Sequence, residues 1–153
     1  MVYLAEMPAD VRDTLLEQPL PEFAETPWTK AKPLAQSRVA IISTAGLHRH
    51  DDTPFRGGAG DYRIIPGDIE LRDLRLSHVS TNFDRLGFQH DLNAVFPLER
   101  LRELAKEGVI GSVAKFHYSF MGATPPAGME ANARELAGVL KGDQVDAVIL
   151  MGV

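Results

Sequence analysis

The sequence predicts an α/β fold built on an open, mainly parallel sheet, and three observations carry that expectation. Residues 38–45 (RVAIISTA) and 145–151 (VDAVILM) are nearly continuous apolar runs rich in β-branched side chains, the pattern of strands covered on both faces. Between them lie two stretches with apolar residues at helical spacing, 97–107 and 126–141, each closed by a glycine. Buried strands interleaved with amphipathic helices place the helices on the faces of a parallel sheet.

Taken in order, residues 1–36 read as an arm. Residues 8–18 make one short helix with Val11, Leu15 and Leu16 on one side, before Pro19, Pro21 and Pro27 stop regular structure. Phe23 and Trp28 are expected to anchor this Pro-rich wrap on the main domain, because aromatics bury much area per residue. Residues 37–153 form the α/β domain, with 38–45 as its central strand. The polar stretch 48–61 reads as a loop; its Gly57-Gly58-Ala59-Gly60 matches neither phosphate-binding glycine pattern and is expected to be a flexible turn or lid hinge. Two shorter strands, 62–65 and 74–79, flank the turn signal Pro66-Gly67-Asp68.

His90 and Asp91 are expected to help the chain turn into the helix 97–107, which has Pro97 at its start and Leu98, Leu101, Leu104 and Ala105 on one side. Residues 114–120 read as a strand. The helix 126–141 follows, with Met129, Ala133, Leu136, Ala137 and Leu140 on one stripe. The order strand, strand, strand, helix, strand, helix, strand suggests layers of the Rossmann-like or flavodoxin-like kind. A buried strand as last element, with no helix to cover it, leads to the expectation of a domain truncated at its C-terminal end. Apolar surface from Val145, Val148 and Leu150 is then exposed, which favours a homo-oligomer, a dimer in the simplest case.

Composition narrows the function classes. The 153 residues, 44% hydrophobic and 24% charged, suit one globular domain and exclude a disordered or fibrous chain. A formal net charge of −5, with no basic run, argues against a nucleic-acid partner. There is no cysteine, so a disulfide framework, a thiolate metal site and a cysteine nucleophile are all excluded within these residues. No long apolar run or basic leader is present, and a cytoplasmic location off the membrane is expected.

The candidate chemistry lies at strand ends, where ligands bind in open α/β sheets. All five histidines fall between positions 48 and 117, two of them in Gly46-Leu47-His48-Arg49-His50-Asp51-Asp52. In an extended segment His48 and His50 point the same way, so with Asp52, and with His78 across the crevice, they are candidate ligands for a divalent metal. A substrate or catalytic role without metal, and a solvated loop, are the alternatives. A second polar cluster, residues 76–85, brings His78, Asp84 and Arg85 to another strand end, where a His beside a carboxylate suits acid or base chemistry and an Arg suits a carboxylate clamp. The competing reading has Asp84 capping a turn. Ser43 and Thr44, at the end of the first strand, are candidates for substrate binding, and so is Arg49. His117 shares a strand face with Lys115 or Ser119 and is either a hydrogen-bonded core histidine or a ligand group.

An ordered series of motifs adds to this: Pro33-Leu34 before Arg38-Val39-Ala40, Ser43-Thr44-Ala45-Gly46-Leu47-His48, Arg63-Ile64-Ile65-Pro66, Ser77-His78, Asp84-Arg85, Asp91-Leu92-Asn93-Ala94-Val95-Phe96-Pro97 with Arg100-Leu101, Ile110-Gly111, and His117-Tyr118-Ser119-Phe120-Met121-Gly122. From about Trp28 onward the chain resembles the selenoprotein B family of the glycine, sarcosine, betaine and D-proline reductases. The resemblance implies reductive cleavage of a carbon–nitrogen bond in a small amino acid or N-methylated derivative, with a pyruvoyl-bearing subunit as partner. It implies a selenocysteine, or a cysteine in its place, just beyond Val153, so that this chain is the front portion of a longer polypeptide and holds no redox cofactor itself. Selenocysteine is encoded by a stop codon, and expression without its decoding machinery would end the chain there. The resemblance also supports His48, His78 and Asp84 as site residues. The leading reading makes His48 and His78 proton donors to the leaving amine, with Arg85 or Arg49 holding a substrate carboxylate. A His/Asp metal-dependent hydrolase and a non-catalytic assembly module are the competing readings.

Overall fold

In this computed structural model the described residues, 3–17, 19, 22, 24–25, 28–80 and 85–153, form in chain order α1 (Ala9–Leu16), β1 (Arg38–Ser43), β2 (Leu47–Arg49), β3 (Tyr62–Pro66), β4 (Leu74–Leu76), α2 (Arg85–His90), α3 (Leu98–Lys106), β5 (Ser112–Val113), β6 (Phe116–Phe120), α4 (Pro126–Gly142) and β7 (Ala147–Met151). The β-branched run of β1 lies at the centre of the sheet, as its sequence requires. It pairs in parallel with β7 from Val39↔Ala147 to Ser43↔Met151, and on its other side with β5 at its start and β6 at its end. Next to β6 runs β3, antiparallel from Tyr62↔Phe120 to Pro66↔Phe116. The sheet is therefore mixed and mostly parallel. The three-residue β2, inside the stretch expected to be loop, pairs antiparallel with β4 as a separate ribbon.

Alternation along β1 divides the core. Val39 and Ile41 face α3, whose Leu98 and Leu101 are buried beside Phe96, Ile65 and Leu47. Ile42 faces the other way, toward Leu136 of α4 and the rings of Tyr118 and Phe120. The α3 helix follows Pro97 and ends where Gly108 takes φ +75°, a left-handed conformation that glycine adopts without strain. The α4 helix covers β6 rather than β7, which leaves Val148 36% and Leu150 74% exposed on the last strand, while Val145 is half-buried.

Two expectations are corrected by packing. Trp28 does not anchor the arm: it is 89% exposed, and Val11, Leu15 and Leu16 of α1 are exposed as well, so none of these four side chains fixes it on the core. Phe23 lies outside the described residues. Trp28→Ala is accordingly expected to change unfolding free energy by less than about 0.5 kcal/mol, measured by denaturant titration. The glycine-rich stretch makes the expected turn at Gly57-Gly58, with the Ala59 N–H donating to the Arg56 carbonyl at 3.1 Å, but its second half is not a free hinge. Thr124 Oγ1 donates to the Ala59 carbonyl at 2.8 Å, Asn132 Nδ2 donates to the Gly60 carbonyl at 3.0 Å, and the Gly60 backbone lies against Gly128 of α4. Among the described residues no helix is long and apolar enough to cross a membrane.

Candidate active site

The carboxyl ends of β1, β6 and β7 meet at one edge of the sheet. There the Thr44 N–H donates to the Met151 carbonyl at 3.0 Å, and Thr44 Oγ1 accepts from the Val153 N–H at 2.8 Å while facing the Val153 carbonyl at 3.4 Å. One short side chain thus ties the end of β7 to the end of β1. From β6 comes Gly122, whose N–H donates to the Thr44 carbonyl at 2.9 Å. A side chain here would have no room: a Cβ at Gly122 would lie 2.8 Å from the Thr44 carbonyl oxygen, 2.9 Å from that of Val153 and 3.0 Å from His78 Nε2.

His78 reaches this point because Gly46, at φ +66°, lets the backbone after β1 pass close by; a Cβ on Gly46 would stand 3.0 Å from the His78 nitrogen. The imidazole is buried, and its Nδ1 accepts from the Ser80 N–H at 3.2 Å. That partner assigns the ring proton of the neutral form to Nε2, the nitrogen beside Gly122. Burial, reinforced by the Arg85 guanidinium, pushes the His78 pKa below its ordinary value, so the neutral N–H form is favoured at neutral pH. Arg85 Nη2 in turn donates to the His78 carbonyl at 2.9 Å.

The remaining predicted residues take other positions. His48 is buried on β2, and its Nδ1 donates to the Arg49 carbonyl at 2.7 Å, which leaves the lone pair on Nε2, the opposite tautomer to His78. Arg49 is held by Asp51, with Nε donating to Oδ1 at 2.8 Å; that hydrogen bond raises the Arg49 pKa and lowers that of Asp51. His50 is exposed, and Asp52 accepts from the Thr53 N–H at 2.7 Å. Among the described residues no group of three or more His, Asp or Glu is placed to hold a metal ion, so His48, His50, Asp52 and His78 are not gathered around one point. Ser43 is buried, with its hydroxyl accepting from the Ala45 N–H at 3.2 Å. Asp84 lies outside the described residues.

His117 is built into the sheet. Between the pairs Val39↔Val113 and Ile42↔Tyr118, β1 advances three residues while its neighbour advances five, so two extra residues bulge out. The bulge withdraws a carbonyl from the ladder, and His117 Nδ1 replaces it, accepting from the Ile41 N–H at 2.9 Å. Gly67 and an edge-on Phe96 ring enclose the imidazole, and burial lowers its pKa to about 4. Of the two readings open from sequence, this is the geometry of the core histidine.

The residues that sequence reasoning missed at this edge are Gly46, Ser80 and Gly122. Gly122 stands in the quoted motif series, but only the approach of three chain segments shows why it has to be glycine.

Comparison with known proteins adds an independent line. Residues 11–153 match the family described as Glycine/sarcosine/betaine reductase selenoprotein B (GRDB). The chain is 36% identical over 127 residues to the D-proline reductase subunit gamma of Acetoanaerobium sticklandii, covering 80% of this chain and 52% of that protein. It is 32% identical over 144 residues to the glycine reductase complex component B subunit gamma of Symbiobacterium thermophilum, covering 88% of this chain and 33% of the relative. To the sarcosine reductase complex component B subunit beta of Peptoclostridium acidaminophilum it is 32% identical over 140 residues, again 88% of this chain and 32% of the other. The chain thus spans about half of the first relative and about a third of the others. No solved structure matches it. With a family match over nearly its whole length and relatives above 30% identity, the chain belongs to the selenoprotein B family of the glycine, sarcosine and betaine reductases.

Proposed function

We propose that this chain forms one wall of the active site in a component of an amino-acid reductase complex, one that cleaves the carbon–nitrogen bond of a small amine such as glycine, sarcosine, betaine or D-proline. The observation that carries this reading is the convergence of Thr44, His78 and Val153 around Gly122 at the carboxyl edge of a mostly parallel sheet, the place where such sheets bind ligands.

The redox group assigned by this reading is a selenocysteine or cysteine that would follow Val153, as the family resemblance implies; the chain spans about half or a third of the length of its relatives. The residues present suit it. A backbone restrained by Thr44 leads toward that position, and Gly122, whose Cβ would stand 3.0 Å from His78 Nε2, keeps the space beside the imidazole free of side chain. A selenolate or thiolate would supply the electron pair for a new bond to carbon as the carbon–nitrogen bond breaks and the amine leaves with a proton; a dithiol would then cleave that bond, becoming a disulfide while the carbon gains a C–H bond and the selenolate or thiolate is released. A neutral imidazole with its proton on Nε2 acts there as a hydrogen-bond donor that favours the anionic nucleophile. A pyruvoyl-bearing subunit presents the amine, and the exposed Val148 and Leu150 give the rest of the polypeptide an apolar strand to cover.

The test uses the gene-complete polypeptide together with the other subunits of its complex and a dithiol. Carbon–nitrogen cleavage is followed by NMR, as amine release from glycine, sarcosine and betaine and as ring opening of D-proline. Cleavage of one of them, dependent on this subunit, is expected; failure to consume any overturns the reading.

A further inference from the structure

We propose that the cavity between α2 and the ribbon of β2 and β4 is a binding site for an aliphatic monocarboxylate, held at its charged end by Arg75 and along its chain by core leucines. None of Thr44, His78, Gly122 or Val153 lines this cavity, and the proposal does not rest on the reductase reading.

The cavity measures about 500 Å³, and its floor is the flank of the main core. Leu47 and Leu74 are buried there, and Leu71, Leu76, Phe88 and Leu92 pack half-buried against the same cluster, so apolar contact is on offer to a ligand of small-molecule size. The charged lining is uneven. Arg38, Arg49, Arg63, Arg100 and Arg134 each meet an Asp or Glu elsewhere on the molecule. Arg72, in the short turn Leu71–Asp73, and Arg75 of β4 meet no carboxylate among the described residues, although the chain is acidic overall. Arg75 is also oriented in advance. Its Nη1 donates to the Arg72 and Leu74 carbonyls, each at 2.9 Å, which leaves Nε and Nη2 as a pair of parallel donors without an acceptor among the described residues. This is the edge by which Arg49 grips both oxygens of Asp51. A guanidinium already held in place loses little freedom when a carboxylate arrives. Arg85 lines the same cavity with its Nη2 on the His78 and Ser80 carbonyls, and adds positive charge. Asp91 and Glu99 line it too, and both accept from Asn93 Nδ2, at 2.9 and 2.8 Å. Their charges oppose a second anionic group on the ligand, which selects a monocarboxylate over a dicarboxylate or a phosphate.

Octanoate is the probe, titrated into the chain by calorimetry at neutral pH and low salt. Saturable binding with a dissociation constant of about 1 mM or tighter is expected. Acetate lacks the chain and n-octanol lacks the charge, and each is expected to bind at least about tenfold more weakly. Arg75→Lys keeps the charge and loses the fork, so it is expected to weaken octanoate about tenfold, and Arg72→Gln to weaken it about threefold. Arg134→Gln removes the same charge from α4, outside the cavity, and is expected to leave the affinity unchanged. No saturation by about 10 mM octanoate, n-octanol binding as tightly as octanoate, or parental affinity in folded Arg75→Lys overturns the proposal. A second measurement needs no substitution: in proton–nitrogen NMR spectra of the parent, the Arg75 Nε–H signal is expected to shift with the calorimetric midpoint. A signal that stays in place while octanoate binds overturns the proposal as well. Neither readout involves amine release, so failure of the reductase reading and failure of this one are separately visible.

Discussion

Acidification from pH 7 to pH 4 is expected to cost the domain about 3 kcal/mol through His117 alone. The folded-state pKa of about 4 stands well below the ordinary value of 6.5. Burial is the main cause. The Arg102 guanidinium adds to it, and Asp143 opposes it weakly. A histidine kept neutral in the native state binds fewer protons than the unfolded chain between these two values, so stability falls as pH falls. The contribution is complete above about pH 6.5, declines through the interval and is lost below about pH 4, with each pKa unit worth about 1.4 kcal/mol.

Protonation also abolishes the Nδ1 lone pair that holds the Ile41 N–H, so the bulge and the central strand lose their connection at the same step. His117→Asn places an acceptor near the former Nδ1 and removes the titration. Urea titrations across pH 4–7 are expected to show most of the acid sensitivity in the parent and a much flatter profile in the variant. At pH 7 the variant is expected to be less stable, because the ring no longer packs against Phe96. Equal slopes in the two proteins would show that His117 is not the group responsible.

Gly60→Ala is expected to be the most damaging change of a single methyl group. Its Cβ would stand 2.0 Å from the Gly128 carbonyl oxygen and 2.9 Å from the Gly128 carbonyl carbon, both backbone atoms of a helix that cannot turn aside. The loop must lift, which breaks the bonds from Thr124 to Ala59 and from Asn132 to Gly60. Two hydrogen bonds at about 1 kcal/mol each, with about 1–3 kcal/mol of repacking strain, put the cost near 3–5 kcal/mol. Gly138→Ala in the same helix is the control. Nothing lies within 4 Å of its Cβ, so the change is expected to stabilise α4 by up to about 1 kcal/mol. Melting temperatures that move in opposite directions for the two variants would establish that the loop is seated on the helix.

The extent to which the sequence declares this structure depends on the range of the signals. β1, β7, α3 and α4 are recoverable because their patterns are continuous and local: apolar runs for the strands, and helical spacing with proline at the start and glycine at or just past the end for the helices. β2 is hidden because three residues, Leu47, His48 and Arg49, make too short a pattern, and their pairing with β4 is a long-range event. The α2 helix is hidden in a polar segment whose residues invited a chemical reading instead. For His117, alternation along the strand places the side chain but cannot reveal two inserted residues, and it is the insertion that converts the imidazole into a substitute for a backbone carbonyl.

The candidate site shows the same division. Strand ends locate Thr44 at the carboxyl edge of the parallel strands, whereas His78 follows β4 of the separate antiparallel ribbon and reaches that edge through its close approach to Gly46. The role of Thr44 is not legible, because its partner, Val153, becomes a neighbour only when β7 docks on β1. Arg49 illustrates the reverse case: a plausible clamp for a substrate carboxylate in sequence, it is held by Asp51, two residues along.

The measurement that bears most directly on the account is the amine-releasing rate of the complete reductase complex carrying Gly122→Ala in this subunit, set beside the parent. The added Cβ would press on the Thr44 and Val153 carbonyls and on His78 Nε2 at once, the three groups that define the site. If the carboxyl edge of β1, β6 and β7 is where the carbon–nitrogen bond is cleaved, the parent complex releases amine and the folded variant does so at least about tenfold more slowly, a barrier increase of about 1.4 kcal/mol. A folded variant that releases amine at the parental rate would contradict the account.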